Sequence, residues 1–592
     1  MKKLLPIVVA ALGLIATHAF GATAYRYNDS VTTLRGDAVG GASVYVYTAN
    51  TTTLVDLYSG GSTGHPETSN PVTTDGYGRY HFYVAPGTYD LRITGANLTT
   101  YTIEDVRIFS DTGYTYNVLD YGAIPDDDLD DTGAIQDAVD AAEAATSGRV
   151  VFPYGEYTVD AETEIVSGSN MTFDLTSGAT LKASANADGS YRILRIYGAS
   201  NVRVLGGTFI GDRDDHVGSS GESGMCISIL GSDNVFIDGV TLEKAWGDGL
   251  YIGVGADTTM ATNITVANCT VRDNRRQGCS ITHAENVKFI GCTFSNTAGT
   301  NPQCGVDIEP NTGQSVTSVS FSGCHFSDNV GDGILVSGTA GAVDGVVVDG
   351  CVFTGNASLG AAQASIKLYA ATNVSLLGNT ILDSDMQGIR ADTTSSVTIS
   401  GNAVSNIQTH GIYVKNSDNV SVSGNTVKGA SLAANNTSYG IYVLGASDLI
   451  QVSGNTVALN TDGNNQKHAL VVEASTRVNC VGNSLDSISA KFYHSGTISS
   501  GVLYGTGTPE SAVVAPPGFV HLNYSGSGPS LYVKDSGASS AGWGAMPSVR
   551  FGSTAPTDTT GRRGTMFWFD PTGGDTLKVY TGTPDWRWQA LH

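Results

Sequence analysis

The stretch QCGVDIEPN, residues 303–311, sets Asp307 and Glu309 two positions apart in an otherwise apolar, strand-like run that a proline ends. Carboxyl groups so spaced stand on one face of a strand, roughly 6.5–7 Å apart from the strand rise alone. Glycoside hydrolysis with inversion uses one carboxylic acid and one carboxylate about 6.5–9.5 Å apart, with a water between them. Close carboxylates also raise one pKa, which keeps one of the two protonated. Asp307 and Glu309 are therefore the candidate catalytic pair, and Asp248 in WGDG (246–249) is a third candidate. The plainer alternatives are a solvated surface acid or a calcium site for the pair and a turn for WGDG.

Whether these groups meet depends on the elements that carry them. From residue 200 to about 490 the chain repeats itself: NVRVLGGTF, NVFIDGVTL, NITVANCTV, NVKFIGCTF, SVSFSGCHF, GVVVDGCVF, NVSLLGNTI, SVTISGNAV, NVSVSGNTV and LIQVSGNTV. Each is followed by a short strand such as GLYIG, GCSIT, GVDIE, GILVS or GIYVK, and the shortest period is 23 residues, as from Asn263 to Asn286. Repeats of this length that cannot bury a face alone stack into a parallel β-helix, with coils roughly 4.8 Å apart. Cys269, Cys292, Cys324 and Cys351 share one place in the repeat, which Asn379, Asn402, Asn425, Asn455 and Asn483 continue. Stacked amides satisfy one another inside a coil, and stacked thiols act as small buried apolar groups.

In the second strand the first and third residues after the glycine are apolar, as in Val306/Ile308 and Ile412/Val414, and so point inward. One outward column then holds Tyr251, Ser280, Asp307, Leu335, Lys367, Arg390 and Tyr413, the next holds Thr282, Glu309, Ser337 and Asp392, and a third holds Asp248, Gln277, Asp332 and His410. The patch expected around the acids contains Arg275, Arg276, Gln277, Trp246, Tyr251, His283, Asp332, Lys367 and Arg390 as substrate-binding candidates. It spans about five coils, or roughly 20 Å. Arg275 and Arg276 either fork onto an acidic substrate group or merely pair with Asp307 or Glu309. Trp246 and Tyr251 either stack on sugar rings or pack under a turn, and His283 is placed to overhang Glu309. Asp212, Asp214 and Asp215 in GDRDDH (211–216) are candidate calcium ligands; no cofactor is otherwise required.

The chain has 592 residues, 31 Lys+Arg against 55 Asp+Glu, and a net charge of −24, which argues against a nucleic-acid or anionic-membrane partner. Residues 1–24 read as a signal peptide and no later run is long and apolar enough to span a membrane, so the expected location is extracellular or periplasmic. Residues 25–110 alternate as a β-sandwich of Ig-like or carboxypeptidase-regulatory-like kind. Residues 111–504 form the β-helix, opened by an amphipathic helix in which Asp131 or Thr132 caps and Gly148 ends the run. Residues 505–592 form a small β-rich module with four of the five tryptophans.

The opening DYGA...DDTGAIQDAVDAA...GRVVFPYGEYTV, followed by these coils, resembles the pectate-lyase superfamily of right-handed parallel β-helices over about residues 112–500. That superfamily includes polygalacturonase-like hydrolases, pectate and alginate lyases, alginate epimerases and phage tailspikes, and the C-terminal module resembles terminal modules of phage tail proteins. The resemblance implies an all-β solenoid acting on a polysaccharide, as a monomer or a homotrimer. The polygalacturonase set of Asn-Thr-Asp, Asp-Asp, Gly-His-Gly and Arg-Ile-Lys is not reproduced, and the Asp-Pro-His of alginate epimerases is absent. The expected activity is carboxylate-pair hydrolysis of an acidic polysaccharide. Its alternatives are β-elimination on a uronate polymer, with Arg276, Lys367 or Arg390 neutralising the carboxylate, and a tailspike-like or adhesin-type binding protein without turnover.

Overall fold

The computed structural model describes residues 25–505 except 33–37, 59–68, 77, 97, 109–114, 359, 361–362, 435, 460–463, 487–489 and 495–497, and beyond 505 only seven strand segments between 520 and 591. The signal-peptide reading of residues 1–24 and the side chains of the four C-terminal tryptophans lie outside the described residues. None of the described helices is long and apolar enough to cross a membrane.

The chain divides into two compact units at Tyr114/Thr115. In the first, Tyr25–Ser30 pairs antiparallel with Arg79–Val84, and Val72–Thr73, Ser43–Thr48, Gly87–Thr94 and Tyr101–Ile108 form a four-stranded sheet. Alternation decides what faces inward: Val44, Val46, Leu91 and Ile93 from one sheet meet Phe82 and Val84 from the other in a single core.

The second unit opens with a strand, Thr115–Asn117, and a 3-10 turn, Val118–Tyr121, followed by the helix α1, Thr132–Ala144, whose Ile135, Ala138, Val139 and Ala142 are fully buried in the solenoid core. Its termini differ from the sequence expectation. Asp131 sits at the N-cap position without capping, because its carboxylate instead accepts the backbone N–H groups of Ile124 and Thr158 at 2.7 and 3.2 Å. Gly148 begins the next strand, Gly148–Val151, rather than ending the helix.

Each coil has three strands, not the two read from the repeat. The motif NVRVLGGTF spans a strand (Ser200–Leu205), a glycine corner and the start of a three-residue strand (Thr208–Ile210). The asparagine that opens these motifs has a structural task. Asn201, Asn234, Asn263 and Asn286 adopt φ of 55–60°, a left-handed conformation that asparagine tolerates. Three of their amides ladder along the axis, Asn201 to Asn170, Asn234 to Asn201 and Asn286 to Asn263, at 2.6–2.8 Å.

The interior is built of identical side chains in register. Phe289 stacks on Phe321 at 4.8 Å and Phe326 on Phe353 at 4.7 Å, which is the coil spacing. The asparagine column runs as expected, with the Asn379, Asn402, Asn425 and Asn455 amides each donating to the next Oδ1 at 2.9 Å. It continues the cysteine column through the Cys351 N–H, which donates to Asn379 Oδ1 at 2.9 Å, and all eight cysteines are buried free thiols.

The parallel sheet that carries the candidate acids runs through β1 (Met225–Leu230), β2 (Asp248–Gly253), β3 (Gln277–Ile281), β4 (Val306–Ile308), β5 (Ile334–Ser337), β6 (Ala364–Tyr369), β7 (Gln387–Asp392), β8 (Ile412–Lys415), β9 (Tyr439–Leu444), β10 (His468–Val472) and β11 (Ala490–His494).

Candidate active site

The register puts Tyr251, Ser280, Asp307, Leu335, Lys367, Arg390 and Tyr413 in one row across β2–β8. Leu250, Cys279, Val306 and Ile334 beside them are fully buried inside the coil, so these residues point outward, as period two requires. Outward does not mean solvated here. Asp248 and Gln277 have no exposed surface, Asp332 and Asp307 are 2% and 3% exposed, and Ser280 is 4% exposed. A second layer of side chains and loops lies over this part of the sheet, which excludes the solvated-surface alternative for Asp307.

Within that layer the polar groups are oriented by one another. Gln277 Oε1 accepts the Cys304 N–H at 2.8 Å, which turns its amide nitrogen toward Asp307 Oδ2 at 2.7 Å. Asp307 Oδ1 is buried and has no hydrogen-bond partner. Burial, and secondarily the neighbouring Glu309 carboxylate, pushes the Asp307 pKa well above the ordinary carboxyl value, with Arg276 opposing. Glu309 is exposed, and its Oε1 accepts from Ser337 Oγ at 3.4 Å.

Asp248 accepts from Arg276 Nη1 at 3.0 and 3.1 Å and from Ser280 Oγ at 2.8 Å. Burial raises its pKa, against the pull of Arg276. Asp332 Oδ1 accepts the Ala364 N–H at 2.6 Å, its Oδ2 stands 3.8 Å from Lys367 Nζ, and burial lifts it to about 6 against the Lys367 charge.

The binding candidates separate into groups. Arg276 does not pair with Asp307 or Glu309 as the salt-bridge alternative had it; it binds Asp248, and its Nε approaches the Glu222 carboxylate at 3.4 Å. Arg275 turns away from the acids, donating to the carbonyls of Gly221 and Trp246 and lying 3.7 Å over the Trp246 ring. Trp246 is 8% exposed, stacks with His216 at 3.9 Å and donates Nε1–H to the Ser220 carbonyl. Of its two sequence readings, packing under a turn is the one the fold adopts, because residues 216–221 close over the indole. His283 is engaged by the backbone of the next coil: its Nδ1 accepts the Ser315 N–H at 3.1 Å. Tyr251 hydroxyl and Thr282 Oγ1 share a hydrogen bond of 2.9 Å, and Arg390 pairs with Asp392 at 2.7 Å.

The three aspartates of GDRDDH do not converge. Asp212 is buried and engaged by Tyr191 and by His216 Nδ1 at 2.7 Å, Asp214 pairs with Lys244 at 2.6 Å, and Asp215 is exposed. Among the described residues no cluster of three or more His, Cys, Asp or Glu side chains is arranged to hold a metal ion. Glu222 and Tyr191 are contributions that sequence reasoning missed, whereas Asp212, expected as a calcium ligand, instead holds Tyr191 and His216. Glu222 and Tyr191 come from outside the periodic strands or from distant coils, and no spacing signal announces them.

Residues 300–457 match the family model "Right handed beta helix region", and residues 115–325 match "Rhamnogalacturonase A/epimerase, pectate lyase-like". The uncharacterised protein YclG of Bacillus subtilis is 28% identical over 263 residues, 38% of this chain and 45% of its own length. Mannuronan C5-epimerase AlgE5 of Azotobacter vinelandii is 29% identical over 258 residues, 41% of this chain and 25% of its own length. The chain thus spans less than half the length of the curated relatives it matches. The solved A-module of mannuronan C-5 epimerase AlgE6 from Azotobacter vinelandii superposes with a TM-score of 0.48 at 20% identity, covering 66% of this chain and 99% of that one.

Proposed function

We propose that this right-handed β-helix of the pectate-lyase superfamily is an enzyme that cleaves an acidic polysaccharide along the outer face of β2–β7, by hydrolysis at Asp307 and Glu309. The observation that carries the reading is Asp307: an outward carboxyl, buried, its pKa raised by that burial, oriented by Gln277 through one oxygen while the other has no partner. A neutral carboxylic acid of this kind is what protonation of a leaving glycosidic oxygen requires.

In this mechanism Asp307 gives its proton to the bridging oxygen as the bond to the anomeric carbon breaks. Glu309, exposed and two residues on, takes a proton from the water that attacks that carbon from the opposite side. A separation of roughly 6.5–7 Å along the strand leaves room for this water. Asp248, paired to Arg276 at 3.0 Å, fixes that guanidinium, whose Nε also faces the exposed Glu222 carboxylate at 3.4 Å.

Acidity of the substrate is supported by Lys367, Arg390 and Lys415 on the same face, where Arg390 and Lys415 share one carboxylate, Asp392, at 2.7 and 3.8 Å. The names of the relatives AlgE5 and Alginate lyase 7 point to the same kind of polymer; the latter is 50% identical over 54 residues, 9% of this chain and 6% of its own length. The test is to incubate the protein with mannuronan, alginate, polygalacturonate and a neutral glucan. New reducing ends without ultraviolet absorbance from unsaturated uronate support hydrolysis on the acidic polymers.

The likeness to a lyase and to epimerases favours one second reading, proton abstraction beside the substrate carboxylate, with Lys367 neutralising it from its loose 3.8 Å contact to Asp332. Reducing ends accompanied by that absorbance, and abolished in Lys367→Ala, would replace hydrolysis with elimination.

A further inference from the structure

The outward rows that hold Asp307 run on past the acids into a different chemistry. Register carries Arg390 of β7 to Tyr413 of β8 and Tyr442 of β9, and the flanking row carries Tyr439 of β9 to His468 of β10. With His410 ahead of β8 and Tyr493 of β11, six rings form one continuous surface. Centroids lie 5.2 Å apart for His410–Tyr439, 5.5 Å for Tyr439–His468 and 5.5 Å for His468–Tyr493. Tyr442 stands edge-on to its neighbours, at 78° to Tyr439 and 79° to Tyr413.

These rings do not fill the core. Ile412, Val414, Ile441 and Val443, which alternate with them, are the fully buried residues of the same strands, whereas Tyr413, Tyr439, Tyr442 and Tyr493 are half-buried. Nor is an aromatic exterior a general habit of these coils. In the same coils the corresponding outward row of the other long-strand sheet reads Thr398, Ser421, Gln451 and Asn479, all polar. In these coils the outward aromatic row lies on the face that also bears the candidate acids.

The surface is polar at its ring edges. His410 Nδ1 accepts the Tyr439 N–H at 3.0 Å, and burial pushes this histidine down to about 4, so the ring is neutral at ordinary pH. Tyr442 hydroxyl donates to Glu473 at 2.5 Å. At the boundary with the acidic site, Arg390 lies 5.0 Å over the Tyr413 ring and shares Asp392 with Lys415. Amphipathic rings beside a partly compensated pair of cations suit one occupant, a chain of sugar rings bearing acidic groups: apolar C–H faces on the tyrosines, carboxylates toward Arg390 and Lys415.

We propose that the aromatic surface of β8–β11 is a distal binding site for the same acidic polysaccharide chain, engaged only by chains long enough to reach it from Asp307. The proposal rests on the reading of Asp307 as the point of cleavage. Tyr413 is four coils and Tyr442 five coils from Asp307 along the register, roughly 19–24 Å at 4.7–4.9 Å per coil. Dependence on chain length is therefore the signature of this site.

The test uses the full chain carrying Tyr413→Leu and Tyr442→Leu, which keep apolar bulk and remove the aromatic faces. Gln451→Ala on the opposite sheet is the control, and an unchanged unfolding midpoint checks that the variants fold. Equilibrium binding of mannuronan and polygalacturonate, and of the matching disaccharides, is measured in the Asp307→Asn background, where cleavage does not intervene. The expected result is a loss of polymer affinity of about ten- to thirtyfold, from losing two stacking contacts, with disaccharide affinity unchanged. With Asp307 intact, KM for polymer rises while kcat on the shortest cleaved oligomer stays the same. Equal polymer affinity in variant and parent overturns the proposal, as does a parent that binds neither polymer. Polymer binding that depends on the tyrosines in a protein that cleaves nothing would sink the cleavage reading and leave the binding site standing.

Discussion

Asp332→Asn should flatten part of the pH dependence of stability. The Asp332 carboxyl is buried, and its pKa is lifted from 3.8 to about 6 by that burial, with Lys367 opposing. Between those two values the folded chain holds a proton that the unfolded chain has released, so stability falls as pH rises through the window. Roughly two pH units at about 1.4 kcal/mol each give a loss of about 3 kcal/mol between pH 4 and pH 7. Asparagine preserves the acceptor for the Ala364 N–H, seen at 2.6 Å in the native protein, and cannot ionise. Urea unfolding at pH 4 and pH 7, for both proteins, isolates this group because every other titration cancels in the difference. The variant should match the native protein at pH 4 and exceed it at pH 7. Equal slopes in the two proteins would mean that Asp332 is not held in a desolvated site, and the description of the covering layer would fall with it.

His410 should act with the opposite sign: burial lowers it from 6.5 to about 4, so its contribution is intact above pH 6.5 and disappears as pH falls toward 4, and His410→Gln should remove that acid-side loss in the same urea series. Asn402→Ala breaks the amide ladder, stranding the Asn379 N–H and the Leu376 carbonyl that Asn402 serves at 3.0 Å each, and should cost about 3–5 kcal/mol; Asn402→Cys, which copies the Cys351 position, should cost less. Trp246→Phe removes the donor to the Ser220 carbonyl and should destabilise by about 1 kcal/mol with no change in glycan affinity, since the indole packs under 216–221; a fall in affinity for short oligomers would return Trp246 to the groove.

The legible part of the fold is the part governed by repetition. Identical residues one coil apart, such as Asn379 and Asn402, give the register directly, and two-residue alternation then says which side of the coil each neighbour faces. That is why the repeat alone places Asp307, Ser280 and Lys367 in one row. Burial was not legible, because it comes from segments with no period: Glu222, Ser220 and His216 sit on a loop that folds over coils it does not belong to. The same non-local effect turned Arg276 toward Asp248 and made desolvation, rather than Glu309, the main cause of the Asp307 shift. At Asp131 a local capping rule lost to two backbone donors from elsewhere in the chain.

The most direct measurement compares the native protein with Asp307→Asn and Glu309→Gln on mannuronan, following reducing ends by an end-group assay and folding by the unfolding midpoint. The carboxylate-pair account predicts that both variants fold and bind polymer yet lose about a hundred- to ten-thousandfold in turnover, as removal of a general acid or base entails. Turnover within a few-fold of native in both folded variants would contradict it.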